Sequence, residues 1–184
     1  MATTESLLTA EEYFLQPGDG RPTELVRGQI VMMNMPGFDH GAICSNIDHL
    51  LRTHLDKHDL GRVVVNDSGV VTERDPDSVR GADVAYFSYE RLPKTVRRPR
   101  GYPRAIPELV FEVRSPTDRH GELLEKIAEY LKAGVLVVCA VEPEDESVTV
   151  YYPDRAPVTL ATDQELTGLE FLPGLSMPVR RIFE

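Results

Sequence analysis

The segment from Glu108 to Val141 constrains the fold of this chain more than any other part of the sequence. An apolar run, Glu108–Arg114, is followed by an amphipathic stretch of helical period and then by a second apolar run, Val135–Val141. A strand, a helix and a strand in succession are typical of a βαβ crossover, whose two strands run parallel. Apart from its charged residues, the first run is continuously apolar, so we expect a central strand that is covered on both faces.

Capping and turn signals place the other elements. Thr9-Ala10-Glu11-Glu12 fits a capping box and predicts a short helix from about Thr9 to Leu15. Glu24–Met33 predicts a hairpin that turns near Arg27-Gly28. Apolar residues at helical spacing predict a helix from Asp39, as its cap, to about His58, ended by Gly61. Shorter runs predict further strands: Arg62–Val65, which Gly69–Thr72 either continues or pairs with, Ala82–Phe87, Ser147–Tyr152, Val158–Leu160 and Leu169–Phe171.

Together these elements predict an α/β fold, a mixed central sheet flanked by helices with an N-terminal helix and hairpin. The chain has 184 residues and no interdomain linker, so we expect one domain over residues 1–184. No apolar run approaches the roughly 20 residues that span a bilayer. Cys44 and Cys139 are isolated and predict reduced thiols, and the N-terminus lacks the features of a signal peptide. We therefore expect a cytoplasmic protein without membrane association.

Two carboxylates lie on predicted apolar strands. Asp83 lies in the run Arg80–Phe87, and Glu112 lies near the C-terminal end of the run that begins at Glu108. A buried charge must be paired or bound to a metal. Lys126 follows on the next helix. Two carboxylates with a lysine are the minimal set for a magnesium-dependent phosphodiesterase, in which the acids hold the cation and the lysine orients water or stabilises the transition state.

The same residues also have structural interpretations. Glu112 and Arg114 share one face of a strand and could form an ion pair without any metal. Glu122 and Lys126 are spaced for an exposed ion pair on the helix, and Asp83 could cap a turn. Spacing alone does not decide between these interpretations and the metal site.

The charge pattern is mostly unfavourable to nucleic acid. A formal net charge of −10 argues against broad, non-specific affinity, which needs a basic face. The stretch Arg91–Arg100 is a local exception with five positive charges and no negative one, and Arg104 follows it. This stretch is either a solvated loop or a loop that faces phosphates.

Several short motifs in one order resemble the Uma2 family of proposed endonucleases, from about Thr9 to Phe171. The matching segments are Thr23–Ile30 ("YELIdGel"), Arg80–Val84 ("R-x-PDv"), Pro107–Pro116 ("pdlvvEvlSP"), Lys126 with Tyr130 and Ala133–Val135 ("K...Y..aGV"), and Val141–Pro143 with Val148–Tyr151. That family has the restriction-endonuclease-like fold with the PD-(D/E)xK motif, so the resemblance implies an active site on the central sheet.

The resemblance also implies roles for individual residues. Asp83 matches the first acidic residue of the motif and Glu112 the second, while Lys126 replaces a lysine ordinarily found at the position of Arg114. Glu24 matches an acidic residue near the metal, and His40 matches a histidine on the helix after the hairpin. Departures from the family pattern are Ala82 for the proline of the "PD" pair, Arg27 and Gln29 for acidic residues, and Glu142 for an aspartate.

The expected function is therefore a Mg²⁺-dependent DNA endonuclease, with Mn²⁺ as an alternative cation. Asp83 and Glu112 would be the metal ligands, with Lys126 and Glu24 as further catalytic residues. Arg114 and the basic stretch would contact backbone phosphates, His40 would be an accessory residue, and a homodimer is expected by analogy. The alternative is a non-catalytic module that keeps the fold and binds a protein partner through its acidic surface.

Overall fold

The computed structural model describes residues 7–18, 20–97, 99–115 and 119–184. Within them the chain forms four α-helices and ten β-strands. The helices are α1 Ala10–Phe14, α2 Phe38–Leu55, α3 His120–Ala133 and α4 Arg180–Phe183. The strands are β1 Thr23–Val26, β2 Gln29–Met32, β3 Gly61–Glu73, β4 Ser78–Ser88, β5 Leu109–Val113, β6 Val137–Glu142, β7 Ser147–Tyr151, β8 Val158–Leu160, β9 Glu165–Thr167 and β10 Ser176–Pro178.

The first eight strands form one mixed sheet in the order β2-β1-β4-β5-β6-β7-β8, with β3 paired to β4. Strands β5 and β6 are parallel, from Leu109↔Val137 to Val113↔Val141, and α3 connects them. The predicted βαβ crossover and the α/β fold class are therefore confirmed. Strands β9 and β10 form a small separate hairpin-like pair.

Strand β4 is the branch point of the large sheet. On one side it pairs with β3 from Glu73↔Ser78 to Gly61↔Ser88. On the other side it pairs first with β1, at Leu25↔Val79, and later with β5, from Val84↔Phe111 onward. Residues 80–83 of β4 therefore lie between the end of one ladder and the start of the next. We call this position the fork.

Helices cover both faces of the sheet. Side chains of β5 alternate between two apolar clusters, because successive residues of a strand point to opposite faces. Leu109 and Phe111 pack with Ile47 of α2, whereas Val110 packs with Ile127 of α3. All five residues of β5 are buried, as the apolar run predicts. Among the described residues, no helix is both long and apolar enough to cross a membrane.

Local signals in the N-terminal third are largely confirmed. Thr9 caps α1, and the reciprocal bonds with Glu12 form the predicted capping box. The hairpin turns at Arg27 and Gly28, with φ of 49° and 78°, as a two-residue turn between right-twisted strands requires. Asp39 lies in the first turn of α2, but the N-cap is Gly37.

Two sequence predictions are wrong. Gly61 does not end α2, which stops at Leu55; it begins β3, where a Cβ would lie 2.3 Å from the Phe87 carbonyl oxygen. Leu169–Phe171 is not a strand but lies in the connection between β9 and β10. Of the two arrangements expected for the runs 62–65 and 69–72, the structure has the continuous one, because a bulge carries β3 across the polar residues between them. Residues 116–118, which precede α3, lie outside the described residues.

Candidate active site

The fork brings Glu24, Glu112 and Lys126 together from three elements. Glu24 lies on β1, Glu112 near the end of β5 and Lys126 in the second turn of α3. The Lys126 Nζ lies 2.7 Å from Glu112 Oε2 and 3.1 Å from Glu24 Oε1. It also donates a hydrogen bond of 2.7 Å to the Gly81 carbonyl oxygen at the fork. The exposed Glu122–Lys126 pair is thereby excluded, since the Lys126 side chain is only 12% exposed.

Backbone groups of β4 and β5 hold two of the carboxylates. The Gly81 amide donates to Glu24 Oε1 at 2.9 Å, and the Val113 amide donates to Asp83 Oδ2 at 2.6 Å. These bonds are available because neither amide is used by a strand ladder at the fork. Asp83 therefore lies beside the strand that carries Glu112.

His40 belongs to the same site. Its Nε2 lies 3.2 Å from Asp83 Oδ2 and its Nδ1 lies 3.6 Å from the Sγ of Cys44, one helical turn later. The hydrogen bond to Asp83 and the contact with Cys44 raise the pKa of His40 to about 10 despite its burial. His40 is therefore an imidazolium paired with Asp83. His40, Cys44 and Asp83 each place a ligand atom within 4.8 Å of the others.

Arg80 holds Glu24 in place through a salt bridge. Its Nη1 bonds Glu24 Oε2 at 2.8 Å, while Nε and Nη2 form a two-bond pair with Glu129 at 2.7 and 2.8 Å. Burial would raise the pKa of Glu24, but Lys126 and Arg80 hold it below its ordinary value. Bidentate arginine–carboxylate pairs fix geometry as well as charge. This brace was not predicted, because Arg80 and Glu129 are far apart in sequence.

Acidic groups outnumber the cations that face them. Burial raises the pKa of Glu112 to about 8, although the Lys126 ammonium opposes the shift. Burial alone would lower the pKa of Lys126, but Glu112, Glu24 and Asp83 raise it above its ordinary value, so the ammonium stays charged. The protonation of Glu112 and that of Lys126 therefore depend on one another and on the nearby Glu24 and Asp83 carboxylates.

One oxygen at this site has no partner. Glu112 is 4% exposed, and its Oε1 makes no hydrogen bond with any described residue. Glu112 lines a cavity of about 90 Å³ together with Asp83, Glu24, Lys126 and His40. One water needs about 10–15 Å³, so the cavity has room for a cation with waters. Carboxylate oxygens are the donors that Mg²⁺ and Mn²⁺ prefer, so these residues fit a divalent cation.

Asp67 also lines this cavity and was missed by the sequence analysis. It lies on the β3 bulge, with a φ of 51°. Burial and the nearby Asp83 carboxylate raise the pKa of Asp67. The signal was the polar sequence Asn66-Asp67-Ser68 inside an apolar run, to which the sequence analysis assigned no role.

Two other predicted residues are engaged elsewhere. The ion pairs described for Arg114 are with Glu142, at 2.5 Å, and Glu144, at 3.4 Å, whereas the partner of Glu112 is Lys126. In the basic stretch, Arg91 contacts Glu108 and three backbone carbonyls, and Lys94 pairs with Asp59. Arginines 97, 100 and 104 are exposed.

Comparisons with known proteins identify the family. The model of the Uma2 family, described as "Putative restriction endonuclease", matches residues 10–180. A solved structure titled as a putative nuclease belonging to DUF820 from Anabaena variabilis ATCC 29413 has a TM-score of 0.80 and 20% sequence identity, covering 96% of this chain and 97% of that one. At that identity the likeness establishes the fold. No curated protein has significant sequence similarity to the chain. Because the family match extends over nearly the whole chain, the protein belongs to the Uma2 family of restriction-endonuclease-like proteins.

Proposed function

We propose that this protein is a divalent-cation-dependent endonuclease that hydrolyses phosphodiester bonds of DNA, with Mg²⁺ as the cation and Mn²⁺ as a substitute. The observation that carries the proposal is the unpartnered Oε1 of Glu112, which is buried beside Lys126. A buried carboxylate oxygen without a donor loses its hydration, and a bound cation would compensate for that loss.

Asp83 and Glu112 are the proposed ligands of the cation. A divalent cation supplies Lewis-acid polarisation of a phosphate and makes water a stronger nucleophile at neutral pH. The Val113 amide fixes Asp83 on one side and His40 contacts it on another. Both contacts hold the Asp83 carboxylate in place at the cavity that Glu112 also lines.

Lys126 is the proposed group that offsets negative charge as the phosphate is attacked. Three contacts, to Glu112, Glu24 and the Gly81 carbonyl oxygen, fix its ammonium before any substrate binds. Such preorganised charge stabilises a transition state without reorganisation during the reaction. Glu24 is then a positioning residue for Lys126, held in turn by Arg80.

The exposed arginines of the basic stretch and Arg114 are proposed to contact backbone phosphates. Arg97, Arg100 and Arg104 remain on the surface after Arg91 and Lys94 are used within the fold. They would offer local attraction on a chain whose formal net charge is −10. Binding should therefore weaken steeply as salt concentration rises.

A homodimer is proposed through the edge strand β2. All four residues of β2 are exposed, and the exposed apolar side chains continue into the next segment at Met33, Met35 and Phe38. An unprotected apolar edge strand is a template for pairing with another strand, and a second copy of β2 would pair with it antiparallel. Because β1 carries Glu24, this pairing would bring two sites near one another, as cleavage of both DNA strands requires. Such a protein would act in the cytoplasm, in keeping with the free thiols of Cys44 and Cys139.

Plasmid nicking tests the proposal. The wild-type protein should convert supercoiled DNA to the nicked form with Mg²⁺ or Mn²⁺ but not with EDTA. Asp83→Asn and Glu112→Gln, which keep shape and remove charge, should lower the rate by at least about 100-fold. Asp163→Asn is the matched control, because Asp163 is exposed in the turn before β9, away from the cavities that Asp83 and Glu112 line. Intact DNA with wild-type protein across metals and substrates would instead favour the non-catalytic module.

A further inference from the structure

We propose that Asp67 is a third carboxylate of the cation site, an inference that rests on the function proposed above. Asp83 and Glu112 are the two acids that the family motif supplies. Asp67 comes from a different strand, β3, and from a local feature that the motif does not include.

A bulge in β3 places Asp67 opposite Asp83. The ladder with β4 pairs Val65 with Val84 and then Ser68 with Ala82, so that two residues of β3 lie opposite Asp83 alone. These two, Asn66 and Asp67, have φ values of 68° and 51°. Asparagine and aspartate are the residues other than glycine that adopt left-handed backbone most readily, so this sequence suits the bulge. Bulges commonly redirect a side chain next to an active site, and here the redirected side chain is a carboxylate.

The bulge packs closely against Gly81 of β4. A Cβ at residue 81 would lie 2.9 Å from the Asp67 Cβ, which is too close for any real pair of side chains. The same Gly81 donates its amide to Glu24 and accepts a hydrogen bond from Lys126. The position of Asp67 is therefore tied through one residue to two other groups of the site.

Asp67 lies against Asp83 without a salt bridge of its own. Lys126 pairs with Glu112 and Glu24, and His40 pairs with Asp83. In the part of the chain that the structure describes, Asp67 forms no ion pair; the charges of Lys126 and His40 attract it, and its side chain shares a hydrogen bond with Asp83. Two carboxylates held toward one another share a proton or a cation, and a divalent cation would replace the proton.

Glu112 is the independent sign that this cavity takes a ligand, because its Oε1 is buried and makes no hydrogen bond with any described donor. The equally buried Tyr130 hydroxyl lies close enough that Glu112, in addition to burial, raises the pKa of that hydroxyl. Asp67, Asp83 and Glu112 line that one cavity. Three carboxylates and waters form an oxygen-only set, which selects a hard divalent cation.

Binding of Mn²⁺, measured by calorimetry without DNA, tests the inference. Asp67→Asn is the main variant, because asparagine also adopts left-handed backbone, and Asp67→Gly is a second variant that needs no such tolerance. Both should weaken Mn²⁺ binding at least about tenfold, because removal even of a group that only orients a metal ligand lowers metal affinity about 10–100-fold. Both should also raise the melting temperature of the metal-free protein by removing repulsion. Asp163→Asn, in the exposed turn before β9, should change neither quantity.

The outcomes separate the two proposals. If wild type binds Mn²⁺, Asp83→Asn abolishes binding and Asp67→Asn binds as tightly as wild type, Asp67 is not a ligand and the proposed function stands. If Asp163→Asn weakens binding as much as Asp67→Asn, the effect is one of general charge and the inference is overturned. If the wild type binds no Mn²⁺, the cation site itself is absent and the proposed function fails with it.

Discussion

Replacing Lys126 by methionine tests whether the buried acids depend on this single ammonium. The change keeps a similar apolar stem and removes a charge that lies 2.7 Å from Glu112, 3.1 Å from Glu24 and 2.7 Å from the Gly81 carbonyl oxygen. Removing one member of a buried ion pair costs about 3–5 kcal/mol, because the partner stays buried and uncompensated. For a chain of this size that corresponds to a fall of about 6–20 °C in melting temperature.

The assay is urea unfolding in EDTA, with Lys132→Met as the matched control. Lys132 lies on the same helix and pairs with Glu73, but its side chain is 77% exposed, so its loss should change the free energy of unfolding by less than about 0.5 kcal/mol. Adding Mn²⁺ should recover more stability in Lys126→Met than in wild type, because the cation then meets uncompensated carboxylates. If the two variants unfold within about 0.5 kcal/mol of each other, the argument that Lys126 compensates the buried acids is refuted.

Two further predictions concern other parts of the molecule. Val31→Lys on β2 should convert the proposed dimer to a monomer, as measured by light scattering. Val158→Lys on β8, the opposite edge strand of the sheet, should leave the dimer intact. A monomeric wild type or a dimeric Val31→Lys variant would contradict dimerisation through β2. Asp77 accepts bonds from the Ala10 and Asp75 amides and from Arg74, which together outweigh burial and lower its pKa. Asp77→Asn should therefore lower the free energy of unfolding by about 1–3 kcal/mol at pH 7. A carboxylate whose pKa is lowered by folding stabilises the protein fully only above its unfolded pKa of about 4, and this stabilisation is lost as pH falls through the folded pKa. The difference in the free energy of unfolding between wild type and Asp77→Asn should therefore shrink below about pH 4. An equal difference at pH 7 and pH 3 would exclude this role for Asp77.

The sequence predicts those parts of the molecule whose signals are local. The capping box at Thr9 and the turn at Arg27-Gly28 each depend on a few adjacent residues, and the structure has both. The parallel pair β5–β6 follows from two apolar runs around a helix. Asp83, Glu112 and Lys126 stand out as charged residues on or just after apolar strands, and the family resemblance indicates them again together with Glu24. The structure brings these four side chains to one cavity, while their roles stay predictions.

Features that depend on distant contacts could not be predicted. The Asn66-Asp67 bulge is favoured only because β4 continues to pair on both sides of it, so the local sequence left open whether the two runs continue or pair. The Arg80–Glu129 pair joins a strand to a helix 49 residues later. The pairing of β9 with β10 likewise depends on where the chain is held by the core, since neither short run is distinctive by itself.

The branching of the sheet at β4 has a mechanical consequence. Glu24 and Glu112 belong to the two arms that leave β4 on the same side, and Lys126 bridges them from the helix above. The distance between the two acids therefore depends on the angle between β1 and β5. A force on the β1–β2 hairpin, at a surface remote from the cavity, would change the distance between the Glu24 and Glu112 carboxylates through the backbone alone.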